Sequence, residues 1–308
     1  MIVPDTTITW AELRVRAEAR LQETAVLSPA NEARWMVERV SGYDGVELVV
    51  GEHEVATAPA MQHLDDMLER RAGGEPLQYV LGRWGFLGLD LMVDRRVLVP
   101  RPETEVVAQV AIAEAVRLGA RRGTHDPWAA GITNYAIADL GTGSGALALA
   151  LACELPDAEV WATDVSPDAL AVARANLAGI GSAATRVRLE AGSWFDALPG
   201  ELRGRLKVIV SNPPYVAERE VPELASVVVD WEPRLALVSG PTGLEAIEAI
   251  LAEAPAWLDP RGAVLVLELA PHQAAPATEL AYTAGFAEVA VHRDLAERDR
   301  VLVARVGS

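Results

Sequence analysis

From residue 135 onward, strand-length apolar runs alternate with helix-length segments, and few folds accommodate that pattern. The strand candidates are Tyr135–Leu140, Glu159–Thr163, Val187–Glu190, Leu206–Val210, Ala263–Leu269, Ala287–His292 and Val301–Val306. Helices fit Ala146–Glu154, Pro167–Ala178, Leu244–Leu258 and Gln273–Ala284. Alternation of this kind predicts an α/β fold, an open parallel sheet with helices on both faces. Only a few residues join the last two strands, too few for a parallel crossover, so that pair is expected to run antiparallel.

The chain has 308 residues, enough for two domains. The first 75 or so are helical in pattern. Thr9 and Glu12 have capping-box spacing, with Leu13, Ala17 and Leu21 on one face. Ser28-Pro29 looks like an N-cap followed by a first-turn proline, leading into Trp35, Met36 and Val40. A third helix is expected from Pro59 to Arg71, with Gly73-Gly74 ending it and Arg70-Arg71 as its solvated end. Tyr79-Val80-Leu81 and Leu89–Val93 flank a Gly-rich turn and predict a β-hairpin. The expected division is therefore a helical domain over 1–76, a hairpin linker over 77–99 and an α/β domain over 100–308. Glu103 and Glu105 open a helix through Val116, where first-turn acids suit the helix dipole. Residues 119–134 are polar and aperiodic and predict a loop.

Bulk properties narrow the function. The formal net charge is -17, which argues against a general nucleic-acid binder, because phosphate contacts need a basic face. With Cys153 the single cysteine, no internal disulfide can form, and a reducing compartment is expected. Its apolar helical surroundings predict a buried structural thiol. Met1 to Trp10 carry no basic region followed by an apolar one, and no apolar run reaches membrane-spanning length. A cytoplasmic protein without membrane association is expected. The five histidines lack metal-ligand spacing and the lone cysteine cannot complete a zinc site, so no metal is expected.

Asp139-Leu140-Gly141-Thr142-Gly143-Ser144-Gly145 lies between the first strand of the sheet and a helix. Glycines there let the backbone turn tightly and approach a ligand, and this turn is where nucleotide cofactors bind in such sheets. Asp164, at the end of the second strand, can accept both ribose hydroxyl protons of an adenosine. Gly141, Gly143 and Ala146 also satisfy the dinucleotide fingerprint, so the loop and Asp164 alone fit either S-adenosylmethionine or a nicotinamide dinucleotide. Trp194 can stack on an adenine ring or serve as a core residue. Asp139 is expected to shape the loop rather than touch the ligand.

Asn212-Pro213-Pro214-Tyr215 ends the fourth strand and favours the methyl donor. Amide nitrogen is a poor nucleophile, because its lone pair is delocalised. The Asn212 side-chain oxygen can accept one of its protons and the Pro213 carbonyl the other. That grip favours a pyramidal nitrogen and stabilises the charge that develops on it. Tyr215 can stack on the acceptor group. Hydride transfer has no need of such a grip. Adenine N6, cytosine N4 and a glutamine side chain all fit it.

The surrounding segments bear on that choice. Glu75-Pro76-Leu77-Gln78-Tyr79, then Val97-Leu98-Val99-Pro100-Arg101-Pro102-Glu103-Thr104-Glu105, the Asp139–Gly145 loop, Ser211–Tyr215 and Glu232-Pro233-Arg234-Leu235-Ala236-Leu237 occur in that order. The chain resembles the peptide-chain-release-factor N5-glutamine methyltransferase family over nearly its whole length. The run through Pro100–Glu105 discriminates it from nucleic-acid enzymes with the same tetrapeptide. The resemblance implies a class I methyltransferase sheet of seven strands behind a small helical domain that docks the protein substrate. It implies methyl transfer from S-adenosylmethionine to the glutamine of a Gly-Gly-Gln motif in release factors. Asn212, Pro213, Pro214 and Tyr215 would hold that glutamine, with Asn212, Pro213 and Tyr215 catalytic. Gly141, Thr142, Gly143, Ser144, Gly145, Asp164, Trp194 and Asn212 would hold the cofactor. The chain departs from the family pattern at Ser193, where an acid commonly precedes the aromatic residue, at Ala270-Pro271 and at Glu297, each in place of a glycine.

Two rivals differ in class. A nucleic-acid amino-methyltransferase would want a basic face or a recognition domain. A non-catalytic S-adenosylmethionine-binding partner would not need an intact tetrapeptide. Arg101 and Glu103 could reach the site or simply start a helix, and Glu232 and Arg234 could order the loop over the acceptor, though a structural ion pair between them is the expectation.

Overall fold

Side chains alternate along the strands and feed two separate hydrophobic layers. The computed structural model describes residues 7–119 and 135–307, which form two compact units, Met1–Arg83 and Trp84–Ser308. Most of the loop expected at 119–134 lies outside the described residues.

The first unit is helical: α1 (Trp10–Gln22), α2 (Pro29–Ser41), α3 (Gly45–Val50), α4 (Ala58–Ala72) and α5 (Leu77–Leu81). Thr9 caps α1 as its spacing predicts: its hydroxyl accepts from the Glu12 N–H at 3.3 Å and Glu12 accepts from the Thr9 N–H at 3.0 Å. Leu13, Ala17 and Leu21 of α1 pack with Met36 and Val37 of α2 and Leu64, Met67 and Leu68 of α4.

Several local expectations need correction. Ser28 makes no side-chain capping bond to α2. Tyr79-Val80-Leu81 is helical, not a strand: Pro76 starts a short turn, Gly82 ends it at φ 71°, and burial of Leu77, Val80 and Leu81 overrides their strand propensity. Arg70 is the exposed helix end expected, but Arg71 is not. Arg70 pairs with Glu75 at 2.6 Å, and Arg71 forks onto the buried Glu32 at 2.6 and 3.1 Å.

The hairpin β1 (Arg83–Phe86) and β2 (Leu89–Met92) starts on the last residue of the first unit and lies otherwise in the second, where α6 (Pro102–Arg117) follows. Then come β3 (Tyr135–Leu140), α7 (Ala146–Glu154), β4 (Ala158–Asp164), α8 (Pro167–Leu177), β5 (Val187–Ala191) and β6 (Leu206–Ser211). A small parallel pair, β7 (Val216–Ala217) and β8 (Val238–Gly240), encloses two short helices, α9 (Ser226–Val229) and α10 (Arg234–Leu237). The chain ends with α11 (Glu245–Trp257), β9 (Ala263–Glu268), α12 (Ala274–Thr283), β10 (Glu288–Arg293) and β11 (Asp299–Val306).

Seven strands form one sheet in the order β10-β11-β9-β6-β3-β4-β5, and β11 runs antiparallel to both its neighbours. Ile137, Val160, Val208, Val210, Val264 and Val303 face α6 and α7. Their alternates Ala138, Leu140, Ile209, Leu265 and Leu302 face α11 and α12. Burial on both faces explains the near-continuous apolar strands. Cys153 is exposed rather than buried, because it lies in the last turn of α7, on the side away from the sheet.

Candidate active site

Sheet order decides where the functional loops meet. The chain winds outward from β3 through β4 to β5, then returns to place β6 on the other side of β3. The carboxyl ends of β3 and β6 thus emerge side by side at the point where the winding reverses, the usual ligand crevice of such sheets. Asp139 pairs with Val210 across them. The buried Ser211 hydroxyl donates to the Leu140 carbonyl at 2.6 Å.

The loop after β3 is held by backbone and buried polar groups. Gly141 and Thr142 N–H groups both donate to the Thr163 carbonyl at 2.9 Å. Asp139, fully buried, accepts from the Thr142 hydroxyl at 2.6 Å and from the Ala148 N–H at 3.1 Å. Its expected shaping role is met, and burial pushes its carboxyl up to about 7. Gly141, Gly143 and Gly145 have φ of 73°, 57° and 87°. A Cβ on Gly145 would lie 3.2 Å from Leu149 and 3.5 Å from Ala173, so this glycine lets α7 and α8 pack closely. Asn176 of α8, which the sequence reading passed over, donates to the Ser144 carbonyl at 2.8 Å and to the Met92 carbonyl at 3.0 Å, tying the loop to β2.

Asp164 ends β4 beside this loop. Its carboxylate accepts from the Gly143 N–H at 2.9 Å and the Ser166 N–H at 2.8 Å, while burial raises its pKa. Trp194 adopts φ 43°, uncommon for a side chain of its size, and the Thr163 hydroxyl donates to its carbonyl at 3.2 Å. Its ring would meet a Cβ on Gly141 at 3.2 Å, so that glycine makes room for the indole.

At the end of β6, the Asn212 side-chain amide donates to the Thr104 hydroxyl at 3.0 Å. The Thr104 hydroxyl in turn lies 2.7 Å from one oxygen of Glu268, whose other oxygen is 3.3 Å from the Tyr215 hydroxyl. Burial pushes Glu268 up to about 7 and raises Tyr215 as well. The Tyr215 carbonyl accepts from the Gln273 amide at 2.9 Å.

A cavity of about 490 Å³ joins the two loops. Gly141, Thr142, Gly143, Ser144, Asp164, Trp194, Asn212 and Pro214 line it, together with Thr104 and Ser193. Gly145, Pro213 and Tyr215 do not line it. The cavity fits a nucleoside-bearing methyl donor. A Cβ on Gly143 would meet nothing within 4 Å, so the backbone is open where a ligand would lie, and Asp164 and the Trp194 indole face the same space. Among the described residues no group of three or more His, Cys, Asp or Glu stands in metal-holding geometry.

Arg101 does not simply start a helix. It pairs with the buried Glu232, which burial raises, and so fastens the segment before α6 to the loop before α10. Glu103 pairs with Arg298 at 2.9 Å. Glu232 therefore has Arg101 as its partner rather than Arg234. Thr104 is marked in the sequence only as part of the run Pro100–Glu105, and no role for it or for Glu268 is legible there. Their one signal is a polar residue closing an otherwise apolar strand, in the case of Glu268.

Comparison with known proteins agrees with this layout. Residues 12–82 match the family described as PrmC N-terminal domain, and residues 129–230 match the Methyltransferase small domain. A release factor glutamine methyltransferase of Xylella fastidiosa is 42% identical over 80% of the chain and 82% of that relative. One from Deinococcus radiodurans is 38% identical over 96% of the chain and 97% of the relative. The hMettl16 catalytic domain, solved with the MAT2A 3′UTR hairpin 1, shares the fold at a TM-score of 0.53, covering 90% of each chain at 14% identity.

Proposed function

Because the chain belongs to the release factor glutamine methyltransferase family, we propose that it methylates the side-chain nitrogen, N5, of the glutamine in the Gly-Gly-Gln motif of peptide chain release factors. The observation that carries this reading is that one cavity joins the glycine loop and Asp164 to Asn212.

S-adenosylmethionine, when bound, supplies a methyl group on a sulfonium for in-line displacement by the amide nitrogen. Gly141 to Gly145 offer close backbone approach, Asp164 takes the ribose hydroxyls and Trp194 flanks the adenine. Asn212 Oδ1 accepts one N5 proton and the Pro213 carbonyl accepts the other, which pyramidalises the nitrogen and aims its lone pair. Pro214 stiffens the strand end and lines the cavity wall. Tyr215 backs the acceptor from behind that wall. As the N–CH3 bond forms and the S–CH3 bond breaks, the nitrogen turns positive and releases one proton to solvent. No metal takes part.

The helical unit is assigned to docking the protein substrate. Its match to the PrmC N-terminal domain supports the assignment. The acidic chain, at a net charge of -17, favours a protein acceptor over nucleic acid, and its single cysteine suits the cytoplasm. Among the described residues no helix is long and apolar enough to cross a membrane.

The test is a panel. The protein is incubated with labelled S-adenosylmethionine and, in parallel, release factor, DNA and ribosomal RNA. Label should enter release factor alone, and Asn212→Ala should abolish it while leaving cofactor binding largely intact. Label on DNA with none on release factor would sink the reading.

A further inference from the structure

We propose that Glu268, acting through Thr104, is the positioning residue that points the Asn212 side-chain oxygen at the acceptor nitrogen. The proposal rests on the glutamine-methylating reading above and adds a residue pair to it.

The argument is one of hydrogen-bond polarity. Glu268 closes β9 and is 1% exposed, and Thr104, in the first turn of α6, is 4% exposed. An ionised carboxylate only accepts. The Thr104 hydroxyl must therefore give its proton to Glu268, at 2.7 Å. That leaves the hydroxyl oxygen as an acceptor for Asn212, which must turn its NH2 toward Thr104, at 3.0 Å. Asn212 Oδ1 is left facing the other way, and among the described residues no donor is committed to it. An oxygen can hold the NH2 of a glutamine; an NH2 cannot.

Protonating Glu268 on the oxygen that faces Thr104 reverses both bonds of the relay. Its new O–H would donate to Thr104, Thr104 would donate to Asn212 Oδ1, and the Asn212 NH2 would swing toward the acceptor. Donor would then meet donor. The same carboxylate holds the far end of the tetrapeptide, where the Tyr215 hydroxyl lies 3.3 Å from its second oxygen. One buried group thus anchors both Asn212 and Tyr215.

The charges around Glu268 come from three directions. Arg300 on β11 favours the ionised form, Glu103 on α6 opposes it, and Tyr215 hydrogen-bonds to it. Arg300 is itself buried, donates to the Leu269 carbonyl at 3.0 Å and lies 3.6 Å from Asp294, which also holds Arg298 at 2.8 Å. The segment Asp294–Arg300 thereby keeps a positive charge behind Glu268. Burial still dominates and pushes the carboxyl up to about 7.

The test uses the full chain with release factor and S-adenosylmethionine. Wild type, Thr104→Val, Thr104→Ser and Glu268→Gln are compared for kcat, KM and affinity for S-adenosylhomocysteine. Thr104→Val keeps the shape and loses the hydroxyl, so kcat should fall about 100-fold, with cofactor affinity within about threefold. Thr104→Ser should recover most of that loss. Wild-type kcat should fall as pH drops through about 7, and Glu268→Gln should lack that limb. If wild type transfers methyl and Thr104→Val matches it, or if Glu268→Gln keeps the limb, the relay is overturned alone. If wild type methylates no release factor, the functional reading fails and the relay fails with it.

Discussion

Ser211 and Leu140 join the two halves of the site: the Ser211 hydroxyl donates to the Leu140 carbonyl at 2.6 Å, with both residues fully buried. Leu140 is the last residue of β3 before the glycine loop, and Ser211 is the last of β6 before the tetrapeptide. The bond therefore sets the spacing between the cofactor loop and the acceptor grip. Replacing Ser211 with alanine removes it and should cost about 1–2 kcal/mol of stability, measured by urea unfolding. Release of the spacing should lower kcat about tenfold, more than it weakens cofactor affinity.

Gly143 and Gly42 separate backbone strain from ligand approach. Both lie at positive φ, 57° and 77°, and a Cβ on either would meet nothing within 4 Å. Alanine at each should therefore cost a similar amount, about 1–2 kcal/mol. Only Gly143 lines the cavity. Calorimetry with S-adenosylhomocysteine should show Gly143→Ala weakening binding at least about tenfold and Gly42→Ala leaving it unchanged.

Asp139 gives the fold a definite pH signature. Burial raises its carboxyl from 3.8 to about 7, so the folded protein holds this proton more tightly than the unfolded chain does. Its contribution to stability is then fully present below the unfolded value and is lost as pH rises through the folded one. Between about pH 4 and 7 it should lower stability by up to about 1.4 kcal/mol per pH unit. Asp164, Glu232 and Glu268 are shifted the same way by burial. Asp139→Asn should flatten the profile by its own share, read from urea midpoints against pH. An unchanged profile would show that the Asp139 pKa is not raised by folding.

Much of this layout is legible in the sequence, for physical reasons. Two-sided burial makes the central strands continuous apolar runs, and the glycine loop and tetrapeptide mark the ends of β3 and β6. Local chemistry of that kind survives in a linear pattern. The Thr104–Glu268 contact does not, because its partners are 164 residues apart and neither flanking segment signals the other. The Arg71–Glu32 fork was hidden in the same way. Tyr79-Val80-Leu81 carries strand-forming side chains and folds as helix because packing against α2 and α4 decides it. In α7, a run of apolar residues gave no phase by which to tell that Cys153 falls on the open side. Glu297 adopts φ 58°, the left-handed region that favours glycine, and nothing in its side chain announces that conformation in the sequence.

The most direct test is to locate the methyl group. Release factor treated with the protein and S-adenosylmethionine is digested, and the Gly-Gly-Gln peptide is fragmented in a mass spectrometer. The account predicts one added methyl on the glutamine side chain, absent when Asn212→Ala replaces the wild type. A methyl on any other residue, or an unmodified glutamine beside a methylated nucleobase, would contradict it.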